Sequence, residues 1–584
     1  MTEQKKSLLK NPAAELRYET NIGRMCGEAG TLAQEIWKLY KRIDAQSSIF
    51  FWEGSHTFTK LSDAYAGLCG IRPEKINDFG EFWNPRFEDA IINIFGGEEA
   101  KLLREYCALV YESPYAHTIY RPSYRTRIAG YYIYSFYIAI IYSINFNCFD
   151  LGLAEMMRQN HTEISGFDCR LALALRGGDM AATELTRDAI LGVNRDIKLT
   201  NPIVRGVVKS GVPAQLEQLG RLLIASRGQE WIRQAILENA NSGSVKSHAY
   251  FIGLVIENKL TRLSTAVRTF STWTGLAYEN VRPAVIEKCV RLAYKYLNGE
   301  TAYAEGLQSA DSLEVFMALW SGASRDISIS KTDAQRLLDV PEKHRRLVGW
   351  YFLKSTVYPK IIHDIAMEHI DVRESEELAW ICRCLYKNNG LMYLSSMTDF
   401  DIEAPRPDSS LPDGAGQRKS QFDSLCSILD FIGNSKTMFS GSIFPWSNVR
   451  LDSRDAAKCM LGLIIYDRDP EMILRFAGYL PVMDTEIRTV YYTTILNPAI
   501  PAQRELLLAG LSDKSVSVKD NIIKQLAKET LSPRDIEFLA NTLIASGPVS
   551  RNAAAPVMEK QPDALILQDV RARINTADDE QLLA

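Results

Sequence analysis

Tyr120, Arg121, Tyr124, Arg125, Arg127 and Tyr131 interleave guanidinium groups with flat rings in the run YAHTIYRPSYRTRIAGYY. Such a mixture suits stacking on bases and holding phosphates, or pairing with an acidic partner. The competing role is structural. The arginines would then bond helix C-termini or acidic neighbours beside the apolar run that follows. The structural role is preferred, and Tyr120, Arg121, Tyr124, Arg125 and Arg127 stand as the chain's binding candidates.

A second set of cations recurs with a period. Arg488, Lys519 and Arg551 are 31 and 32 residues apart, and Arg205, Arg233 and Arg268 are 28 and 35 apart. Each sits near the start of an apolar helical stripe. These residues could line a groove. The favoured reading is that they tie one repeat to the next by capping helix carbonyls or pairing with turn acids such as Asp513. The run Lys343-His344-Arg345-Arg346 reads as a solvated helical face.

Other chemistry finds little footing. There is no GxxxxGK[ST] and no GxGxxG after a strand, so no phosphate cradle is expected. Gly177-Gly178-Asp179 reads as a turn in which Asp179 caps the next helix. His363 and His369 are six apart, about 120° around a helix, a poor shared ligand face. Cys382 and Cys384 diverge in the same way. There is no GxSxG and no cysteine in a catalytic frame. No catalytic residue, metal ligand or cofactor is assigned, and the chain is read as more an interaction protein than an enzyme.

The elements that would position these groups are helical almost throughout. Residues 1–160 form an aromatic-rich helical region interrupted at Asn84-Pro85 and Ser113-Pro114. Within it, residues 128–149 hold no charge. That length could span a bilayer, but five tyrosines lie all along it rather than at its edges, so a buried helix is expected. Residues 161–402 form a repeat block with helices at 181–192, 201–209, 213–226, 229–240, 245–257 and 262–273, punctuated by Gly211, Gly243 and Gly275. Core-facing positions include Ile365 and His369 on one helix, and Leu378, Ile381 and Leu385 on another. Residues 403–420, EAPRPDSSLPDGAGQRKS, read as a polar loop or linker. Residues 421–584 resume the repeat, with Leu507, Leu508 and Leu511 closing one helix. Asp513 follows in the turn, and Val516, Val518, Ile522, Ile523 and Leu526 form the next stripe.

A period of roughly 30–40 residues marks stacked helical pairs, because one pair cannot bury its apolar face alone. The expected fold is therefore all-α, an irregular HEAT-like α-solenoid. With 584 residues the chain is too long for one core. Its 46% hydrophobic and 24% charged content argues for a folded chain. A net charge of −4 removes the global signature of a nucleic-acid binder. Ten cysteines without a CxxC pair read as reduced thiols of a cytoplasmic protein.

YRPSYRTR at 120–127, Arg176-Gly177-Gly178-Asp179, RGVVKSG at 205–211, the stretch 219–243 and TWTG at 272–275 resemble the helical-repeat region of large bacterial proteins of the MolR/YehI-like group. The resemblance implies a helical-repeat part that is followed, in those proteins, by a further domain of unknown function. It supplies no catalytic residues.

The resulting expectation is a cytoplasmic, non-catalytic scaffold that binds a protein partner along its helical repeats and does not enter the membrane. Nucleic-acid binding through the Arg/Tyr segment is the alternative, and an enzyme with a site assembled from scattered residues is the third. The sequence assigns neither the partner nor the oligomeric state.

Overall fold

The computed structural model describes residues 12–42, 51–112, 152–274, 282–388 and 414–574, apart from isolated positions, together with Ile133, Phe136, Ala139 and Ile140. The fold is all-α; among the described residues there is one small sheet of two strands, Lys436–Ser440 and Asn448–Asp452. Lys436–Ser440 is almost wholly exposed and carries no alternation of burial, whereas Asn448–Asp452 buries Val449 and Leu451 between exposed Asn448 and Arg450, a run too short to stand out in the sequence. The chain divides into two compact units: Met1–Ile362 with Ser440–Asn448, and His363–Phe439 with Val449–Ala584.

The first unit begins with an aromatic core. Asn84 does more than break a helix there. Its side-chain oxygen accepts from the Phe87 amide at 3.1 Å, and Pro85 supplies a preset φ for the first turn of Pro85–Phe95. This sets Phe87 among Tyr65, Phe82, Trp83 and Phe136, with ring centroids 4.9–5.2 Å away. The uncharged run 128–149 lies mostly outside the described residues. Its four described positions, Ile133, Phe136, Ala139 and Ile140, are helical and buried in this core. No helix among the described residues is long and apolar enough to cross a membrane.

The same unit continues with helices Phe167–Arg176, Met180–Leu191, Asn201–Ser210, Pro213–Ala225, Glu230–Ala240, Val245–Glu257 and Ser264–Trp273. Those read from the sequence at 181–273 appear within two residues of the expected bounds. They pack alternately. Phe167–Arg176, Asn201–Ser210, Glu230–Ala240 and Ser264–Trp273 follow one another in one row; Met180–Leu191, Pro213–Ala225 and Val245–Glu257 do so in another. The turns follow from local chemistry. Gly178 adopts φ +74° and Asp179 caps the next helix through the Ala182 amide at 3.0 Å. Gly211 caps Asn201–Ser210 in the left-handed conformation, which costs glycine little.

Gly243 serves a different purpose from the expected helix stop. It follows Ala240 by a short turn, and a Cβ there would sit 2.5 Å from the Val208 carbonyl oxygen and 2.6 Å from its Cγ1. Its role is close approach between neighbouring helices. Gly243→Ala is therefore expected to destabilise the first unit by about 1–3 kcal/mol through overpacking against backbone, read as a lowered denaturation midpoint. An unchanged midpoint would contradict this packing. Gly275 lies outside the described residues.

The second unit contains Ser375–Asn388, Ala415–Ile432, Ser453–Asp467, Pro470–Ala477 and Thr485–Val490, a π-helical turn Tyr491–Ile495, then Pro501–Ala509, Val516–Leu526, Pro533–Ala545, Pro548–Met558 and Asp563–Ile574. Leu378, Ile381 and Leu385 are buried as expected, as are Ile365, Leu507, Leu508, Leu511, Val518, Ile522, Ile523 and Leu526. Two expectations need correcting. Val516 is exposed, because it opens its helix and lies about 200° around it from Val518, the first buried position. The helix Ala415–Ile432 starts inside the span read as loop, since Arg418, Gln421 and Phe422 all find buried positions along it. Residues 403–413 lie outside the described part.

Candidate functional site

The Arg/Tyr binding candidates, Tyr120, Arg121, Tyr124, Arg125 and Arg127, lie outside the described residues. The recurring cations are placed, and they can be followed one by one.

Arg205 and Lys209 are one turn apart on Asn201–Ser210, so both reach the same neighbour. Lys209 Nζ is 2.7 Å from Asp168 Oδ2 and donates to Cys169 Sγ at 3.3 Å; Arg205 Nε donates to the same Asp168 oxygen at 3.2 Å. The Lys209 and Asp168 side chains are only 3% and 9% exposed, so this pair lies in the interior. Burial pushes the Asp168 carboxyl up, but Lys209 and Arg205 outweigh it and hold the group well below the usual carboxylate range. Burial pushes Lys209 down, and Asp168 with Cys169 more than restores it. Burial raises the Cys169 thiol to about 12, which keeps it protonated and unreactive at neutral pH.

The polar contacts run on along the row of helices. Arg205 Nη1 donates to Asn239 Oδ1 at 3.2 Å, and the Asn239 amide donates to Asn201 Oδ1 at 3.2 Å. Arg268 reaches Glu238 at 3.4 Å. Arg176 donates to the Ser210 and Lys209 carbonyls at 3.0 and 2.7 Å, capping the end of Asn201–Ser210. Arg233 stands in the same row; among the described residues it has no ion pair, and its buried Nε has no hydrogen bond. Three successive helix junctions are thus bridged by side-chain bonds between residues 30–41 positions apart.

In the second unit Arg488 donates to Asp513 through Nε at 2.7 Å and Nη2 at 3.1 Å, and through Nη1 to the Met483 carbonyl. Both side chains are nearly inaccessible, at 4% and 6%. Lys519 is half-buried on Val516–Leu526, and Arg551 donates to the Ile544 carbonyl at 3.0 Å from an exposed position. Arg504, which the spacing did not single out, binds Asp535 through Nε at 3.0 Å and Nη2 at 2.6 Å.

The run Lys343–Arg346 departs from a solvated face. His344 meets the Ser309 carbonyl at 3.1 Å, and Arg345 donates to the Leu307 carbonyl at 3.1 Å. These atoms satisfy the end of Glu300–Leu307, a helix the local charge pattern does not reveal.

His363 and His369 do not meet. His363 is buried against Gln421 at 2.8 Å, and His369 Nδ1 faces the Ile365 carbonyl at 2.9 Å. Cys382 and Cys384 are both buried, and burial raises the Cys382 thiol to about 12. Among the described residues no cluster of His, Cys, Asp or Glu could hold a metal ion.

Residues 34–584 match a family of unknown function, DUF5724. The chain belongs to this family. No curated protein matches it. The DUF5724 match takes in both units, so the polar seam of the first and the arginine–aspartate pairs of the second lie within one family region.

Sequence reasoning missed a cleft of about 430 Å³ in the second unit, lined by Arg468, Ile473, Ile495, Leu496 and Gln525 among others. One wall is the π-helical turn Tyr491–Ile495, a rare geometry that recurs at functional positions. The available signal was the run Asp467-Arg468-Asp469-Pro470, where an arginine between two acids reads as already neutralised.

Proposed function

We propose that this chain is a non-catalytic, cytoplasmic scaffold that binds a protein partner along HEAT-like helical repeats. The observation that carries the reading is the alternate packing of helices between residues 167 and 273, with side-chain bonds at successive junctions. Stacked pairs of this kind hold a surface rigid over a long distance, and their usual use is recognition. The recurring cations fit the same reading: Arg205, Arg268 and Arg488 each pair with an acid of the same chain.

The test is capture from the native host on the purified chain in mild salt, followed by reconstitution from purified components. Light scattering on the eluting species is expected to give a stoichiometric complex with one protein partner. Recovery of no stoichiometric partner, together with a monomeric chain, would overturn the scaffold reading.

A further inference from the structure

Three arginines of the second unit use the guanidinium in a common way. Arg488 and Arg504 each donate from Nη1 to a backbone carbonyl, of Met483 and Pro498, and offer the Nε–Nη2 edge to an aspartate. Arg418 grips Asp467 with the same edge, Nε at 2.8 Å and Nη2 at 2.8 Å. This edge presents two parallel N–H groups, which match the two oxygens of a carboxylate.

Arg468 repeats the first half of the arrangement and lacks the second. Its Nη1 donates to the Thr494 and Ile495 carbonyls at 2.9 and 3.1 Å, which fixes the guanidinium against the end of the π-helical turn. Its Nε and Nη2 make no hydrogen bond or ion pair within the described residues. Both flanking acids are engaged elsewhere. Asp467 holds Arg418, and Asp469 caps Pro470–Ala477 through the Glu471 amide at 2.8 Å. The backbone at Arg468 is left-handed, φ +52°, because it caps Ser453–Asp467, its amide donating to the Ile464 carbonyl at 2.8 Å.

Arg468 also lines the cleft. Ile473, Ile495, Leu496 and Pro498 supply its apolar wall. The Gln525 amide lines it with no hydrogen bond of its own among the described residues. A volume of about 430 Å³ falls within the ~300–1,000 Å³ of small-ligand sites.

We infer that this cleft is a carboxylate-binding site, in which the Nε–Nη2 edge of Arg468 grips the carboxylate and the Ile473/Ile495/Leu496 wall holds an apolar group beside it. The carboxylate belongs either to an acidic peptide segment or to a free organic acid. The inference does not rest on the scaffold reading, because it concerns the isolated chain and small probes.

Isoleucine δ1-methyl spectra of the full 65.8 kDa chain test it, since Ile473, Ile495 and Ile500 all line the cleft. The probes are the capped dipeptide acetyl-Leu-Glu-amide, its uncharged counterpart acetyl-Leu-Gln-amide, and 5-methylhexanoate, a free acid that carries a branched apolar group. The Glu peptide is expected to shift these three methyls saturably, with the Gln peptide on the order of tenfold weaker. Arg468→Lys keeps a cation able to cap the carbonyls but loses the two-pronged edge, so binding should fall about tenfold while other isoleucine methyls stay in place. 5-Methylhexanoate matching the Glu peptide identifies a free acid as the source; a much weaker response to it identifies a peptide. No shift by ~10 mM probe, where a millimolar site would be mostly filled, overturns the inference. So does equal binding of the Gln peptide, or undiminished binding to the Lys variant.

Discussion

Asp168→Asn is expected to destabilise the first unit by about 3–5 kcal/mol, because it leaves the Lys209 ammonium buried with Arg205 and no counter-charge. The loss should appear as faster hydrogen exchange in Phe167–Arg176 and Asn201–Ser210, which meet at this pair, and less in Pro501–Ala509 of the other unit. The native protein should also show a pH signature. The Asp168 carboxyl is held below its unfolded value, so its contribution to stability is present above about pH 4. It is lost progressively as pH falls below that value toward the lower folded one. The Asn variant lacks this titration, so its acid limb should be shallower. Equal exchange in the two proteins would show that the pair contributes nothing to holding these helices together.

Phe87→Ala should cost a comparable amount, about 3–5 kcal/mol, in the N-terminal core. Phe87 is fully buried, and its ring meets four others at 4.9–5.2 Å. Truncation leaves a cavity bounded by stiff aromatic planes, which collapse poorly. Near-ultraviolet dichroism should lose part of its aromatic signal before far-ultraviolet helicity falls. A variant with native aromatic dichroism and an unchanged melting midpoint would contradict this core.

Helix positions in the repeat block were legible in the sequence because their apolar period is strong and their ends carry readable chemistry, as at Asp179 and Gly211. The partners of the charged residues were not legible. Asp168 and Lys209 are 41 residues apart, and Arg488 and Asp513 are 25 apart. Nothing local marks which acid a given arginine will meet. The run Lys343–Arg346 is deceptive for the same reason, since the Leu307 and Ser309 carbonyls that it meets lie 35–38 residues earlier, at and just past the end of a helix. Gly243 reads as punctuation because a sequence shows where chains turn more readily than where backbones touch. Arg468 was hidden by its neighbours: only the structure reveals that Asp467 and Asp469 are both occupied.

Recurring cations, Arg205, Arg268 and Arg488 among them, tie parts of this chain to one another through acids 25–37 residues away. A double-mutant cycle on Arg488 and Asp513 tests this most directly, using Arg488→Met, Asp513→Leu and the pair together. Each single change leaves a charge nearly inaccessible to water, whereas the double change leaves none. The expected result is a double variant clearly more stable than the sum of the two losses predicts, with a coupling of about 2–3 kcal/mol. Additive losses would mean that the two residues do not act as a tie, and the basic row would have to be read as a binding surface after all.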